Sequence, residues 1–331
     1  MYVPPSSYDS LSYEPKHELH PILQIQFGIL APEEIRLRSV VEVTLSETYS
    51  NGQPVPQGLF DQRMGSLDIS TLCGTCNQLS TLCQGHSGHI ELAKPVFNLK
   101  HLDVVKKVLK AVCYNCSALL ANVELPDVRR AIYDRSSARR LDAAVTKANT
   151  NKGVCLCCKR KQPEKYVKPP DDSWVLSAVI PLDAGDAEAA ASAAASAAGG
   201  SATGGAGAGA GADVGAVLEA PTSVVRVFEA EDVQRILARI TDVDCEALGF
   251  NVKACRPEWL IQTVQLVPSP IMRPSTQNDT KQRSDDDLTS ILGEIVKHNN
   301  ALRAAMASGS ERQVRDAHRL VQMYTFISSR V

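Results

Sequence analysis

Apolar side chains along the first third of the chain recur with two different periods. Residues 22–29 (ILQIQFGI) alternate between apolar and polar positions, which predicts a strand. Pro32 followed by Glu33 and Glu34 predicts a short helix, because proline fits a first helical turn and acidic side chains suit its positive end. Asn98 can cap a second helix. The apolar side of that helix, which we expect to pack in the core, consists of Leu99, Leu102, Val105, Leu109 and Val112.

The pattern resumes after residue 220. Residues 224–228 are apolar except for Arg226 and mark the return of an ordered segment. A helix is predicted next, with an apolar face formed by Val233, Ile236, Leu237 and Ile240. Residues 256–268 (RPEWLIQTVQLVP) are bounded by prolines, which predicts an extended middle.

Residues 284–331 predict a pair of helices. Ser284 and the three aspartates that follow it form a strong N-terminal signal. The apolar stripe after this signal consists of Leu288, Ile291, Ile295 and Leu302. Residues 307–310 predict a turn, and Ser310 with Gln313 predicts a capping box for the second helix. Helices joined by so short a turn predict an antiparallel hairpin, either a short coiled coil or an ordinary packed pair, truncated at Val331 where no capping signal occurs.

Composition divides the chain into five segments. Residues 1–20 are polar and rich in proline, which predicts a flexible leader. Residues 183–220 are dominated by alanine and glycine and cannot bury a core, which predicts a low-complexity insertion or linker. A phosphate-binding loop is disfavoured there because no Lys-Ser/Thr follows the glycines. The predicted ordered segments are therefore 21–182, 221–283 and the helical pair at 284–331.

Charge and hydropathy exclude several classes of protein. A hydrophobic content of 44% excludes wholesale disorder, and a net charge of −2 excludes a uniformly basic coat for nucleic acid. The charge is uneven, because residues 94–168 hold 17 Lys and Arg against 6 Asp and Glu. Such a segment fits either a surface that faces nucleic acid or a solvated face. There is no long apolar run and no secretory signal, so we expect an intracellular, soluble protein with no membrane partner.

The chain has ten cysteines and no secretory signal, which points to metal binding or free thiols rather than to disulfides. Cys73 and Cys76 form a CxxC pair, and Cys83 and His86 follow it. Three thiolates and an imidazole can complete a tetrahedron around Zn²⁺. His89 is a competing imidazole, but His86 keeps the two-residue spacing from Cys83, so we expect His89 to support the site from outside.

Two further CxxC pairs predict a second site. Its ligands are Cys113, Cys116, Cys155 and Cys158, which would close a basic loop. Cys157 is a spare thiol beside them, and Cys245 and Cys255 are expected to be small buried residues. Four protein ligands leave no open position for water, so both predicted Zn²⁺ ions are structural.

Two alternative readings are disfavoured. A RING-type ubiquitin ligase also uses eight Cys and His ligands, but in an interleaved order, whereas here 26 residues separate His86 from Cys113. No nucleophile elbow, HExxH or P-loop motif occurs, and the contiguous aspartates at 285–287 suit a helix start better than a magnesium site. We therefore assign no catalytic residue.

Several long segments resemble the start of the largest subunit of multisubunit DNA-directed RNA polymerases. They are QFGILAPEEIRLRSV (26–40), GLFDQRMGSLD (58–68), CGTCNQLSTLCQGHSGHIELAKPVF (73–97), VLKAVCYNCSALL (108–120), RPEWLIQTVQLVP (256–268) and DDDLTSILGEIVKHNNALR (285–303). The RPEW segment and CKRKQP (158–163) are most similar to the RNA polymerase II branch. Residues 39–65 are especially similar to the homologues of large nucleocytoplasmic DNA viruses.

The resemblance implies an α+β clamp domain, stapled by two zinc ions and ending in a coiled-coil hairpin. Cys73, Cys76, Cys83 and His86 would take the first zinc, and Cys113, Cys116, Cys155 and Cys158 the second. The implied partners are the second-largest subunit, template DNA, the RNA–DNA hybrid, and initiation and elongation factors that dock on the hairpin. We expect the basic side chains to contact phosphates without reading sequence. The candidates are Lys94, Lys106, Lys107, Lys110, Arg129, Arg130, Arg139, Arg140, Lys159, Arg160 and Lys161.

The chain also departs from the family pattern. Gln84 and Ser87 stand where the family usually has a proline and an aromatic residue, both in a loop, so zinc binding should survive. The NADFDGD motif, whose aspartates hold the catalytic Mg²⁺, does not occur in this sequence. The resemblance therefore implies a part of a nucleotidyltransferase that is inactive alone, either in the nucleus or, for a viral protein, in a viral factory or virion. A free-standing zinc-binding transcription adaptor, or truncated paralogue, is the alternative.

Overall fold

A computed structural model describes residues 28–50, 52–68, 71–149, 153–167, 176–181, 223–277 and 283–329. The predicted leader and the Ala-Gly tract lie outside these residues, as does the predicted strand at 22–29 except for Gly28 and Ile29. Among the helices of the described part, none is long and apolar enough to cross a membrane.

Short helices and small sheets alternate along the chain, which confirms the α+β class. The helices are α1 Pro32–Arg38, α2 Leu102–Ala111, α3 Pro126–Tyr133, α4 Ser137–Asn149, α5 Ala230–Ala238, α6 Asp242–Ala247, α7 Asp287–Ser308 and α8 Glu311–Ser328. The strands are β1 Ser39–Glu42, β2 Tyr49–Ser50, β3 Gln53–Pro54, β4 Ser87–Phe97, β5 Lys165–Val167, β6 Leu176–Pro181, β7 Ser223–Phe228, β8 Ile261–Val267, β9 Thr276–Gln277 and β10 Arg283–Ser284.

Local signals account for the ends of several elements. The helix predicted at Pro32 is α1, and the Glu34 carboxylate accepts a hydrogen bond from the N–H of Ala31 at 3.1 Å. Asn98 caps a short 3-10 turn, Leu99–His101, that leads into α2. The strand predicted within residues 256–268 is β8, and a 3-10 turn over Pro257–Leu260 precedes it.

The first sheet has the order β1–β4–β8, with β1 parallel and β8 antiparallel to the central β4. The pairing of β4 with β8 is irregular between Glu91 and Val96. One face of this sheet packs against α7 through a buried cluster that includes Val41, Ile90 and Val267 of the strands and Leu292 and Ile295 of the helix.

The second sheet, β5–β6–β7, is antiparallel. Pro181 at the end of β6 lies opposite Ser223 at the start of β7, so the described residues that flank the Ala-Gly tract are paired neighbours. The largest hydrophobic cluster runs from Phe97 and α2 through Leu176 and Phe228 to Ile261. Residues on both sides of the tract therefore share one core.

The predicted helical hairpin is α7 and α8. Asp286 caps α7 by accepting from the N–H of Leu288 at 3.2 Å. The predicted turn at 307–310 is shorter in the structure, because α7 continues to Ser308 and Gly309 turns the chain at φ 74°. The predicted capping box is wrong: the Ser310 side chain accepts no capping hydrogen bond. The Ser310 carbonyl accepts the first hydrogen bond of α8, from the N–H of Val314.

Where β1 ends, side chains of the hairpin form the hydrogen bonds to the exposed edge of β4. The β1 edge covers β4 as far as His89, whose carbonyl accepts from the N–H of Val43. Alternate residues of a strand present their backbone groups to the same edge. Beyond His89 the backbone of Glu91, Ala93, Pro95 and Phe97 is accordingly bonded by hairpin side chains. The side chains that make these bonds are Asn299, Arg303, His318 and Gln322.

Candidate metal centres

The three CxxC segments share one backbone turn. In each, the N–H of the first cysteine donates at 2.9 Å to the carbonyl five residues later: Cys73 to Gln78, Cys113 to Ala118 and Cys155 to Arg160. In each, the residue after the second cysteine is left-handed, with φ of 54° at Asn77, 60° at Ser117 and 60° at Lys159. These turns direct both cysteine side chains of a pair to the same side.

The first metal group consists of Cys73, Cys76, Cys83 and His86. One ligand atom from each lies within 4.8 Å of the others, and Cys83 Sγ is 3.7 Å from His86 Nε2. The N–H of Thr75 donates to Cys73 Sγ and the N–H of Gly85 to Cys83 Sγ, both at 3.4 Å. Such donors stabilise thiolate sulfur, the form that binds metal.

His89 lies outside this group. Its Nδ1 is 2.7 Å from the Ser39 hydroxyl on β1, and its Nε2 is 3.5 Å from the Glu91 carboxylate. Glu91 in turn accepts from Arg36 of α1 at 2.6 and 3.1 Å. This imidazole therefore joins β1, β4 and α1 and is held away from the sulfur atoms.

The second metal group consists of Cys113, Cys116, Cys155 and Cys158. Their sulfur atoms lie within 4.8 Å of one another, with Cys113 to Cys158 at 3.5 Å and Cys116 to Cys155 at 3.6 Å. The predicted basic loop between the two pairs contains α3 and α4, which pack Ile132, Ala143 and Ala144 into the core.

The remaining cysteines lie outside both groups. Cys157 is exposed, although it is next to a ligand of the second group. Cys245 is fully buried in the large core, whereas Cys255 is half-buried. The expected buried position therefore holds for Cys245 and only in part for Cys255.

Gln162 is a site residue that the sequence analysis missed. The residue is 5% exposed, and its carboxamide lies between the two turns of the second group. Nε2 donates to Cys113 Sγ at 3.2 Å and to the Arg160 carbonyl at 3.0 Å, and Oε1 accepts from Tyr114 N at 3.2 Å. The sequence carries no spacing signal for this residue beyond its place four positions after Cys158.

The thiols within each group differ in acidity. Burial raises the pKa of Cys83 to about 11 and that of Cys113 to about 12. Burial acts in the same direction on Cys158, but hydrogen bonds from Arg160 N–H, Cys113 and Cys155 outweigh it and lower the pKa to about 6. Burial of Cys73 is likewise outweighed by backbone donors, which lower its pKa. A nearby cation would favour the thiolate form of the thiols whose pKa is raised, Cys83 and Cys113.

The donor sets fit a tetrahedral zinc ion. With Zn–S bonds of about 2.3 Å, neighbouring ligand atoms of a regular tetrahedron lie about 3.8 Å apart. The separations of 3.5, 3.6 and 3.7 Å in the two groups are close to that value. Soft thiolates with one or no imidazole are the ligands that structural zinc prefers. Both groups could therefore hold a metal ion.

The structure divides the candidate phosphate-binding residues into two sets. Lys106 is bonded to Asp103, Lys107 to Asp142, and Arg140 to the carbonyls of Arg135 and Glu246. Lys94 and Lys161 are half-buried. The exposed set, on α2, α3, α4 and the third CxxC turn, comprises Lys110, Arg129, Arg130, Arg139, Lys159 and Arg160.

The chain is similar to two curated relatives. It is 32% identical over 317 residues to "DNA-directed RNA polymerase II subunit RPB1" of Euplotoides octocarinatus. The matched region covers 92% of this chain and 58% of that protein. It is 30% identical over 312 residues to "DNA-directed RNA polymerase subunit Rpo1N" of Methanothermobacter thermautotrophicus, covering 92% of this chain and 30% of that protein. The chain thus spans little more than half of one relative and less than a third of the other.

These relatives agree with the resemblance to the polymerase largest subunit, whereas the particular similarity to viral homologues stays a prediction. The model of the family "RNA polymerase Rpb1, domain 1" matches residues 19–329, which include both metal groups and the helical hairpin. The chain therefore belongs to the RNA polymerase Rpb1 domain 1 family.

Proposed function

We propose that this chain is the clamp region of the largest subunit of a DNA-directed RNA polymerase, and that it grips template DNA and the RNA–DNA hybrid during transcription. The observation that carries the proposal is a set of exposed basic side chains on α2, α3, α4 and the third CxxC turn, in the segment that carries the second metal group of a chain of this family. Basic side chains on such a scaffold supply phosphate contacts that do not depend on sequence.

In this proposal Zn²⁺ fills both metal groups and supplies structure rather than chemistry. Bound zinc would hold the cysteine ligands of both groups as thiolates, and in the second group it would join two turns that are distant in sequence. The residues of this chain then position the charges: α3 carries Arg129 and Arg130, and the third turn carries Lys159 and Arg160. The NADFDGD motif is absent from the sequence, so we assign Mg²⁺ and nucleotidyl transfer to the complete polymerase and expect this chain alone to be inactive.

The proposed partners follow from the same role. They are the second-largest subunit, template DNA, the RNA–DNA hybrid and, at the α7–α8 hairpin, initiation and elongation factors. In a eukaryotic cell such a complex works in the nucleus. The alternative, a free-standing zinc-binding adaptor, would bind factors through the hairpin without joining a polymerase.

Metal analysis tests the zinc scaffold. We expect two zinc ions per chain in the wild type and one in Cys73→Ser or Cys116→Ser, because each substitution removes a ligand from one group. Cys157→Ser is the matched control and should keep two ions, since Cys157 is exposed outside both groups. Two ions in either ligand variant would contradict the assignment.

Salt-dependent DNA binding tests the grip. The logarithm of the affinity for duplex DNA should fall linearly with the logarithm of the salt concentration. Changing Arg129 and Arg130 together to Gln should weaken binding and flatten this slope by up to about 2, since each phosphate contact adds roughly 0.9. The control changes Lys106 and Lys107 to Gln and should have a smaller effect. Salt-independent binding would contradict the proposal.

Detection of the native polypeptide separates the two candidate functions. An antibody to residues 98–120 should capture this sequence together with a polypeptide that carries the NADFDGD motif, either as one chain or as a stable complex. Capture of a chain that never accompanies that motif would favour the adaptor.

A further inference from the structure

The two halves of the second metal group come from distant parts of the chain. One pair of ligands is at Cys113 and Cys116, the other at Cys155 and Cys158, and α3 and α4 lie between them. Each turn closes on itself through backbone hydrogen bonds, with isolated bridges Val112–Leu119 and Val154–Lys161. These bonds shape each turn but do not join one to the other.

Gln162 makes such a join. Its backbone N–H donates to the Gly153 carbonyl at 2.6 Å, which fixes the residue to the start of the third turn. From there its side chain reaches the second turn, bonding both the backbone of Tyr114 and the sulfur of Cys113. A single buried amide therefore spans the site.

The orientation of this amide follows from its neighbours. Tyr114 N–H is a donor and needs the carboxamide oxygen, whereas the Arg160 carbonyl is an acceptor and needs the NH₂ group. Once these two bonds are satisfied, the second N–H of Nε2 points to Cys113 Sγ at 3.2 Å. An N–H donor beside a metal-bound thiolate withdraws charge from the sulfur and orients its lone pairs.

We propose that Gln162 is a positioning residue of the second metal centre: its carboxamide joins the two turns and tunes Cys113 as a ligand. This inference rests on the proposed zinc role of the group. It adds a specific residue and a specific donor–sulfur contact that the ligand spacing does not contain.

The most informative variant is Gln162→Glu, because it keeps the shape of the side chain. The carboxylate can still accept from Tyr114 N–H, but it places an acceptor against both Cys113 Sγ and the Arg160 carbonyl. We expect one of the two zinc ions to be released to a chelator at least about tenfold faster than in the wild type. The second ion should be released at the wild-type rate.

The matched control is Gln322→Glu, the same chemical change at another buried glutamine. Gln322 bonds to the backbone of Phe97, and Gln322 is not bonded to either metal group. It should lower stability without changing the release of either ion. Equal acceleration of zinc release in both variants would overturn the proposal, because it would show a general loss of stability.

Two spectroscopic readings test the contact itself. In the Co²⁺-loaded chain, loss of the N–H donor in Gln162→Leu should move one set of sulfur-to-metal charge-transfer bands to longer wavelength. In the ¹¹³Cd-loaded wild type, the side-chain amide protons of Gln162 should show scalar coupling to cadmium through the N–H···S contact. The second reading needs no variant and so decides the question even if a variant fails to fold.

The outcomes separate the inference from the proposed function. Two bound ions without cadmium coupling and without a band shift would overturn the role of Gln162 alone. A second group that takes up no metal would overturn the zinc scaffold, and this inference with it.

Discussion

The carboxamide of Gln322 pairs with the backbone of Phe97 as a neighbouring strand would. Oε1 accepts from Phe97 N–H and Nε2 donates to Phe97 O, both at 2.6 Å. Asn299 of the partner helix makes the same kind of contact, accepting from Ala93 N and donating to the carbonyl of Glu91, each at 2.8 Å. The hairpin is thus joined to β4 by hydrogen bonds that replace a missing strand.

Gln322→Leu should destabilise the chain by about 3 kcal/mol. The change leaves a buried N–H and a buried carbonyl of Phe97 unpaired on this edge, and each unsatisfied group costs roughly 1–3 kcal/mol. Urea unfolding monitored by circular dichroism measures the loss. The control is Gln313→Leu, an exposed position on the same helix, which should stay within about 0.5 kcal/mol of the wild type. A loss of only about 0.5 kcal/mol in Gln322→Leu would contradict the strand-like pairing.

His318 should make stability depend on pH. Burial lowers the pKa of this imidazole, although its hydrogen bond to the Pro95 carbonyl and the charges of Glu229 and Glu231 act in the opposite direction and Lys94 adds to the lowering. The folded state therefore favours the neutral ring. The contribution of the neutral His318 ring to stability is fully present above the pKa of histidine in the unfolded chain, about 6.5. It is lost as the pH falls through the lower pKa of His318 in the folded state.

The variant His318→Gln isolates this effect, because glutamine keeps a donor but does not titrate. Between about pH 7.5 and 5.5 the free energy of unfolding should fall more in the wild type than in the variant. The other titrating groups, His101 and the two metal groups, are the same in both proteins. Parallel pH profiles for the two proteins would exclude His318 as the titrating group.

Lys159→Gly should stabilise the third CxxC turn. Lys159 has φ 60°, a conformation that costs a side-chain-bearing residue roughly 1 kcal/mol and glycine almost nothing. We expect the free energy of unfolding to rise by about 0.5–1 kcal/mol. Lys165→Gly in β5 is the control and should lower it by about that amount, since glycine weakens a strand. A gain at both positions would point to the loss of lysine charge instead.

Removal of the Ala-Gly tract should leave the fold intact. Pro181 and Ser223 face each other across β6 and β7, so a short link can replace the tract. Joining Asp183 to Pro221 through Asn-Gly should raise stability by about 1.5 kcal/mol, because a shorter loop costs less entropy to close. Metal content and unfolding midpoint are the measurements. A variant that binds fewer than two ions, or that unfolds earlier, would show that the tract contributes to the fold.

Local signals in the sequence predicted the parts of this structure that depend on near neighbours. Pro32 and Asn98 mark helix starts because proline geometry and capping act within one turn. The cysteine and histidine spacings likewise identify residues that come together in two groups. The capping box predicted at Ser310 is wrong, because the Ser310 side chain makes no capping hydrogen bond in the structure.

Long-range amide contacts were beyond sequence reasoning. Gln162 reaches Cys113 across 49 positions, and Gln322 reaches Phe97 across 225. A lone glutamine carries no periodicity, and its partner is set only when distant elements pack. The helices α3 and α4 were missed for a related reason, because their buried positions are largely alanines in a strongly charged segment.

The side chains along β4 also give the hairpin the mechanics of a lever. The hairpin is attached to β4 from Asn299 to Arg303 of α7 and at Gln322 of α8, and α7 then continues beyond Arg303 to Ser308, a length of about 8 Å at 1.5 Å per residue. A force on the turn at Gly309 is therefore transmitted to the central strand through these contacts. Because the base is both bonded to the β4 backbone and packed against the sheet through Leu302 and Val321, the arm and the sheet turn together.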